Sequence, residues 1–145
     1  MDMTTSPPGS CTVTQGVRIS VTPEFLPAKS DATAGRYTFA YHIVIANEGD
    51  RRAKLRSRHW IILDAHGVRR DVHGMGVVGA FPDLAPGEQY QYSSFCPLET
   101  HWGTMEGTFL MERETGETFD AAIGRFYLIA PAAETDRAGK RVKTN

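Results

Sequence analysis

Every second residue of YTFAYHIVIAN is large and apolar. Tyr37, Phe39, Tyr41, Ile43 and Ile45 share one side of an extended chain, because successive side chains of a strand point to opposite faces. The other side, with Ala40, Val44 and Ala46, is also fairly apolar. VRISVTPEF sets Val17, Ile19 and Val21 against polar neighbours in the same way. RHWIILD is a short run rich in aromatic and β-branched residues, EQYQYSSF puts Tyr90 and Tyr92 on one face, and GTFLMERE and FDAAIGRFYLIA complete the series. Turn residues separate these runs. Gly67 lies in DAHGV and Gly116 in ETGE, each between two strand-like segments. Pro86 and Gly87 fit the middle of a type II turn, where proline fixes φ and glycine accepts a positive φ. No window of eleven or more residues carries a clean helical stripe. About seven short strands punctuated in this way predict an all-β fold, an antiparallel β-sandwich with its binding loops at the two ends. Phe39, Tyr41, Ile43, Trp60, Ile62, Phe109 and Phe126 are its expected core.

The chain has 145 residues, enough for one domain with a substantial core. The expected division is a polar, mobile N-terminal tail over 1–11, the domain over 12–131, and a small, polar, mobile C-terminal tail over 132–145. A formal net charge of -1 gives no electrostatic reason to expect nucleic acid or a membrane surface as partner. MDMTTSPPGS lacks the basic start and apolar segment of a secretory signal, and no apolar stretch reaches the ~20 residues that span a bilayer. A cytoplasmic location follows as the expectation. In that compartment Cys11 and Cys96 are expected as free thiols.

HGMGVVGAFP contains Gly74, Gly76 and Gly79, the G-x-G-x-x-G spacing of a dinucleotide fingerprint. That fingerprint works by opening a helix whose free N–H groups meet a pyrophosphate. Here AFPDLAPGEQ follows, and Pro82, Pro86 and Gly87 forbid such a helix. Two readings remain. Either the glycines serve backbone geometry at a bulge or bend, or they form a backbone nest for an anion, with Arg69, Arg70 and His73 just before the loop supplying charge.

Other chemistry has little support. The five histidines, His42, His59, His66, His73 and His101, form no H-x-x-x-H or H-E-x-x-H pattern. Asp71 and His73 share a face by alternation, but two ligands rarely make a metal site, so neither metal nor cofactor is expected. Ser93, Ser94 and Cys96 lack a nucleophile elbow or a paired base, and no enzyme activity is expected; a hydrolase has no positive support. In RRAKLRSRHW, Lys54, Arg56 and Arg58 project to one side if the segment is regularly extended. That stripe fits contact with phosphates or an acidic partner, or an edge strand guarded against aggregation by its charges.

The segments FAYHIVIAN, RHWIILDAHG, GMGVVG, LAPGEQYQYSS, CPLETHWGTMEGTF and FDAAIGRFYL together closely resemble the bacterial ApaG family, also called CorD. The resemblance runs from about Val17 to Pro131. It implies a fibronectin type III-like, immunoglobulin-like sandwich and a non-enzymatic binding module linked to cobalt tolerance and magnesium efflux. Similar domains in eukaryotic F-box proteins and in a polymerase-interacting protein look like interaction modules, which implies a protein partner of unknown identity for a monomer or homodimer. The alternative it implies is a pyrophosphate- or nucleotide-binding protein acting through Gly74, Gly76 and Gly79. This chain departs from the usual family pattern at Met75, Ala80, Phe81 and Phe95, which makes the loop less polar.

Overall fold

A computed structural model describes residues 8–131, Glu134–Thr135 and Arg141–Val142. The strands are β1 (Ser10–Thr14), β2 (Val17–Phe25), β3 (Tyr37–Asn47), β4 (Ala53–Asp64), β5 (Arg69–Met75), β6 (Asp83–Leu84), β7 (Gln89–Leu98), β8 (Trp102–Glu112) and β9 (Thr118–Ile129), followed by the short pair β10 (Glu134–Thr135) and β11 (Arg141–Val142). Two 3₁₀ turns, Pro27–Lys29 and Ala32–Ala34, bridge β2 and β3. The strands form a fibronectin type III-like sandwich. One sheet is ordered β1-β2-β3-β7; the other is ordered β5-β4-β8-β9, with β6 also paired to β4. All the pairings are antiparallel. The sandwich thus holds more strands than the seven expected.

All seven expected core side chains are buried. Trp60 occupies the middle, with ring centroids 5.3 Å from Tyr41, 5.8 Å from Phe126 and 6.2 Å from Phe109. These steep edge-on contacts join residues of both sheets, the geometry that aromatic quadrupoles favour. Asn47 is a buried polar residue at the end of β3. Its amide donates to the carbonyls of Arg51 (2.7 Å) and Leu84 (2.9 Å) and its Oδ1 accepts from the Gly49 N–H, so the burial leaves no polar group orphaned.

Two bulges set which side chains face inward. Leu55 pairs with Met111 but Ser57 with Leu110, so Arg56 is an extra residue in β4. On β9 the partners of Met105 and Gly107 are Phe126 and Ile123, which leaves one extra residue there too. One inserted residue reverses the faces of everything after it. In β4 the buried set therefore passes from Ala53 and Leu55 to Trp60 and Ile62. The same offset corrects the expected basic stripe. Lys54 and Arg56 face away from the core and Arg58 turns inward, while Arg56 pairs with Glu112 at 3.3 Å. β4 is no edge strand either, since β5 and β6 flank it on one side and β8 on the other.

The two seams between the sheets differ. At one, β9 packs on β1 and β2. Ser10 donates to the Gly124 carbonyl (2.7 Å), the Ala122 N–H to Thr14 Oγ1 (3.0 Å) and the Tyr127 N–H to the Pro8 carbonyl (2.9 Å). Strand β1 begins at Ser10, inside the segment expected as a tail, and Cys11 lies in it opposite Ser20. Of the expected C-terminal tail only the β10–β11 ladder is described; residues 132–133, 136–140 and 143–145, like 1–7, lie outside the described residues. At the other seam β5 and β7 are the free edges of their sheets.

Cys11 is exposed on edge strand β1 and Cys96 buried on the opposite edge strand, β7; both are free thiols. Hydrogen bonds from Ser20 and then Arg18 lower the pKa of Cys11, whereas burial pushes the Cys96 thiol up to about 11. Thiolate is the reactive form. A disulfide reagent applied to the native chain at mildly alkaline pH should therefore titrate one thiol rapidly, and the second only after denaturant is added. Two fast equivalents would contradict this placement of Cys96.

Candidate functional site

The glycine segment leaves β5 as a tight hairpin. Val77 and Ala80 exchange two backbone hydrogen bonds, each 2.9 Å. Between them Val78 has φ 48° and Gly79 φ 77°. Positive φ at both central residues is the type I′ pattern that matches strand twist. Gly76, at φ 62°, also stands in the left-handed region, and a Cβ on it would clash with the Ala80 carbonyl oxygen. Gly74 is flat against a different neighbour: a Cβ there would meet the Arg58 guanidinium. Arg58 lies over Gly74 and donates to the carbonyls of Met75 (3.1 Å) and Gly76 (2.7 Å).

The loop's amides are mostly committed. The Gly76 N–H donates to the Arg56 carbonyl at 3.0 Å, and those of Val77 and Ala80 close the turn. Among the described residues, Val78 and Gly79 keep the two N–H groups of this turn that lack a backbone acceptor. Arg69 and Arg70 do not join the loop. Arg69 points to the outer face, where Nε and Nη2 reach Asp71 at 2.7 and 2.9 Å. Arg70 points between the sheets and donates from β5 to the Pro97 carbonyl on β7 at 3.1 Å. The cation at the glycine loop is Arg58.

Arg70 bridges a cleft along the open seam. Below it lies a hollow of about 430 Å³, lined by Arg36, Asp64, Val68, Leu98 and Glu99 among others. That volume lies within the range of small-ligand pockets. Above it a narrower hollow of about 180 Å³ is lined by Tyr41, Arg58, Trp60, Val72, Phe95 and Cys96 among others. Ile62, Arg70 and Pro97 line both. Farther along β7, the buried Tyr92 hydroxyl has no hydrogen-bond partner among the described residues, and burial together with Tyr41 raises its pKa. Met75 (65% exposed), Val78 (66%) and Phe81 (45%) surround the glycine hairpin, and Phe95 (60%) stands on the facing edge strand.

The outer face of β4 and β5 carries a second cluster. His59 and His73 are directly opposed in register, with rings stacked at 4.1 Å. His59 Nε2 lies 2.8 Å from Asp71 Oδ2. The hydrogen bonds from Arg69 and then from His59 hold the Asp71 carboxyl far below the usual carboxylate range.

The fold and these sites can be set beside known proteins. The family model described as the ApaG domain matches residues 27–113. The chain belongs to the ApaG family. It is 46% identical over 124 residues to Protein ApaG of Anaeromyxobacter dehalogenans (strain 2CP-C), covering 86% of this chain and 98% of that one. It is 47% identical over 130 residues to Protein ApaG of Bradyrhizobium sp. (strain BTAi1), covering 90% and 95%. The solved structure of the ApaA protein from Bordetella pertussis is 43% identical, with a TM-score of 0.76 over 86% of this chain and 97% of that one. The ApaG match contains both edges of the open seam, since β5 and β7 fall within 27–113.

Within this ApaG domain the sequence marks the glycine stretch as an irregular loop or bend, where the structure has a type I′ hairpin, and it misses three participants. Regular alternation puts Arg58 in a stripe with Lys54 and Arg56, because the bulge at Arg56 has no sequence mark. His59 joins Asp71 and His73 only through β4–β5 register. Tyr92 was legible as a strand residue, whereas the orphaned state of its hydroxyl depends on packing.

The hairpin makes opposite predictions for adjacent positions. Gly76→Ala should lower stability by at least roughly 1–2 kcal/mol, the cost of a Cβ in the left-handed region, with the Ala80 carbonyl adding to it. Val78→Asn should raise stability by about 1 kcal/mol, because Asn-Gly is a favoured type I′ pair and asparagine tolerates that region. For a chain of this size the gain is roughly 2–4 °C in melting temperature. Thermal unfolding of both variants checks the pair; a neutral Gly76→Ala would contradict the hairpin geometry.

Proposed function

We propose that this ApaG chain is a non-enzymatic binding module that holds a protein partner around the open β5/β7 seam, in the service of divalent-cation homeostasis of the kind implied by the family's link to cobalt tolerance and magnesium efflux. The observation that carries the reading is the exposure of Val78 and Phe81 on the glycine hairpin and of Phe95 on the edge strand β7; Met75, also exposed, shares the outer face of β5 with Asp71 and His73. Soluble domains seldom expose such groups together unless a partner covers them. Two free sheet edges at one seam add unpaired backbone groups, which accept an added strand or a complementary loop. By the family resemblance, Phe81 and Phe95 stand where polar or small residues are usual, which favours protein over phosphate as the occupant.

The second reading keeps the pyrophosphate or nucleotide. It is favoured by the uncommitted N–H groups of Val78 and Gly79 and by Arg58 beside them, and opposed by the engagement of Arg58 with two carbonyls. No helix of the described residues is long and apolar enough to cross a membrane.

Tagged wild-type chain and a Phe81→Ser/Phe95→Ser variant, captured side by side from lysate of the native host, test the proposal. One protein should be retained by the wild type and lost with the variant, while the variant keeps its far-UV spectrum. Equal retention by both would overturn the seam as the binding face. Calorimetry with pyrophosphate and diadenosine tetraphosphate addresses the second reading: saturable binding abolished by Arg58→Ala would replace the protein-partner proposal with it.

A further inference from the structure

We propose that the outer face of β4 and β5 binds one divalent transition-metal ion through His59, Asp71 and His73. The ligand atoms of these three side chains lie within 4.8 Å of one another. Their placement follows from strand register. His59 and His73 are directly opposed, and Asp71 precedes His73 by two residues, hence on the same face. A two-ligand pair read from β5 alone becomes a three-ligand set once β4 contributes His59.

The donor chemistry selects the ion. Two imidazoles and one carboxylate suit zinc, nickel or copper(II), whereas magnesium and calcium prefer oxygen ligands throughout. With metal–ligand bonds of about 2.0–2.2 Å, a tetrahedral site holds its donors about 3.3 Å apart. His59 Nε2 and Asp71 Oδ2 are already at 2.8 Å, and a metal there takes the place of the proton they share. The stacked His73 ring must tilt toward the ion. It is exposed, so little packing resists that rotation. Three protein ligands leave a coordination position open to water or to a partner's side chain.

Arg69 sets the strength of the site. Its guanidinium holds Asp71 by two hydrogen bonds, which orients the carboxylate and opposes an incoming cation by charge. Orientation by an outer hydrogen bond is common around metal ligands; the charge is not. Removing that charge while keeping a hydrogen-bond donor should therefore tighten binding.

Calorimetric titration of the full chain with zinc chloride at neutral pH tests this. One zinc should bind per chain, with magnesium chloride giving no heat. His59→Gln, His73→Gln and Asp71→Asn should each weaken zinc by at least about tenfold, the low end of what losing even an outer partner of a metal ligand costs. Arg69→Gln should retain or improve the affinity. In the unmodified chain, nickel should broaden the ring NMR signals of His59 and His73 before those of His42, His66 and His101, a readout that needs no variant to fold. Absence of zinc binding, unchanged affinity in His59→Gln/His73→Gln, or nickel broadening centred on other histidines would overturn the site. These outcomes are independent of the seam, which lies on the inner side and edges of the same strands.

Discussion

The extra residue in β4 governs both surfaces described for this domain. Without the bulge at Arg56, the alternation begun by Ala53 and Leu55 would carry Ser57, His59 and Ile61 into the core and leave Arg58, Trp60 and Ile62 outside. The bulge reverses this. Trp60 then reaches Tyr41, Phe109 and Phe126, and the aromatic centre of the sandwich closes. The energetic preference is large, because burying an indole far outweighs the local cost of interrupting one ladder. The same reversal turns Arg58 beneath the glycine hairpin and His59 outward beside Asp71 and His73. One inserted residue thus couples the core to the loop anchor and to the histidine face.

The fold was legible because its signal is periodic and redundant. Phe39, Tyr41, Ile43 and Ile45 repeat the alternation four times in one strand, and Pro86–Gly87 forms its turn with Gly87 at φ 89° and a hydrogen bond from the Glu88 N–H to the Ala85 carbonyl. What escaped the sequence were single-residue offsets and pairings between strands. Arg56 is a helix-tolerant, strand-tolerant residue with no local preference for a bulge. Nearness in sequence puts Arg69 and Arg70 together at the glycine loop, yet adjacent strand residues must point to opposite faces; one faces Asp71 and the other Pro97. His59 is fourteen positions from His73 and meets it only because β4 and β5 pair in this register. The N-terminal segment carries little apolar periodicity, and its order comes from the backbone and hydroxyl bonds of Ser10 and Thr14 with β9, which composition does not reveal.

The two seams show how a sandwich can be closed and receptive at once. Each sheet has two edges, and unpaired edges invite association. At β1 and β9 the edges are occupied by each other through polar bonds between the sheets. At β5 and β7, among the described residues, the Arg70 guanidinium alone reaches across to a carbonyl. A long, charged side chain can release such a contact at small cost because it is partly solvated. The open seam therefore combines a rigid floor, built on Trp60 and Ile62, with a bridge that can move. Rigidity beneath and adaptability at the rim are the properties a binding face needs.

The glycine spacing itself has a physical origin separate from nucleotides. Gly74 leaves room for the Arg58 guanidinium to lie on the strand, Gly76 stands where the chain turns left-handed against the Ala80 carbonyl, and Gly79 where a type I′ turn needs a second positive φ. These are three different constraints, and their separations are fixed by strand period and turn length. A dinucleotide loop imposes its own close approach and tight turn at the same separations. The coincidence arises because both motifs need backbone without Cβ at similar intervals. What distinguishes them is the element that follows. A helix would aim free N–H groups at a ligand, whereas this hairpin commits the N–H groups of Val77 and Ala80 to each other's carbonyls and returns the chain toward β6, placing Val78 and Phe81, not a phosphate cradle, at the surface.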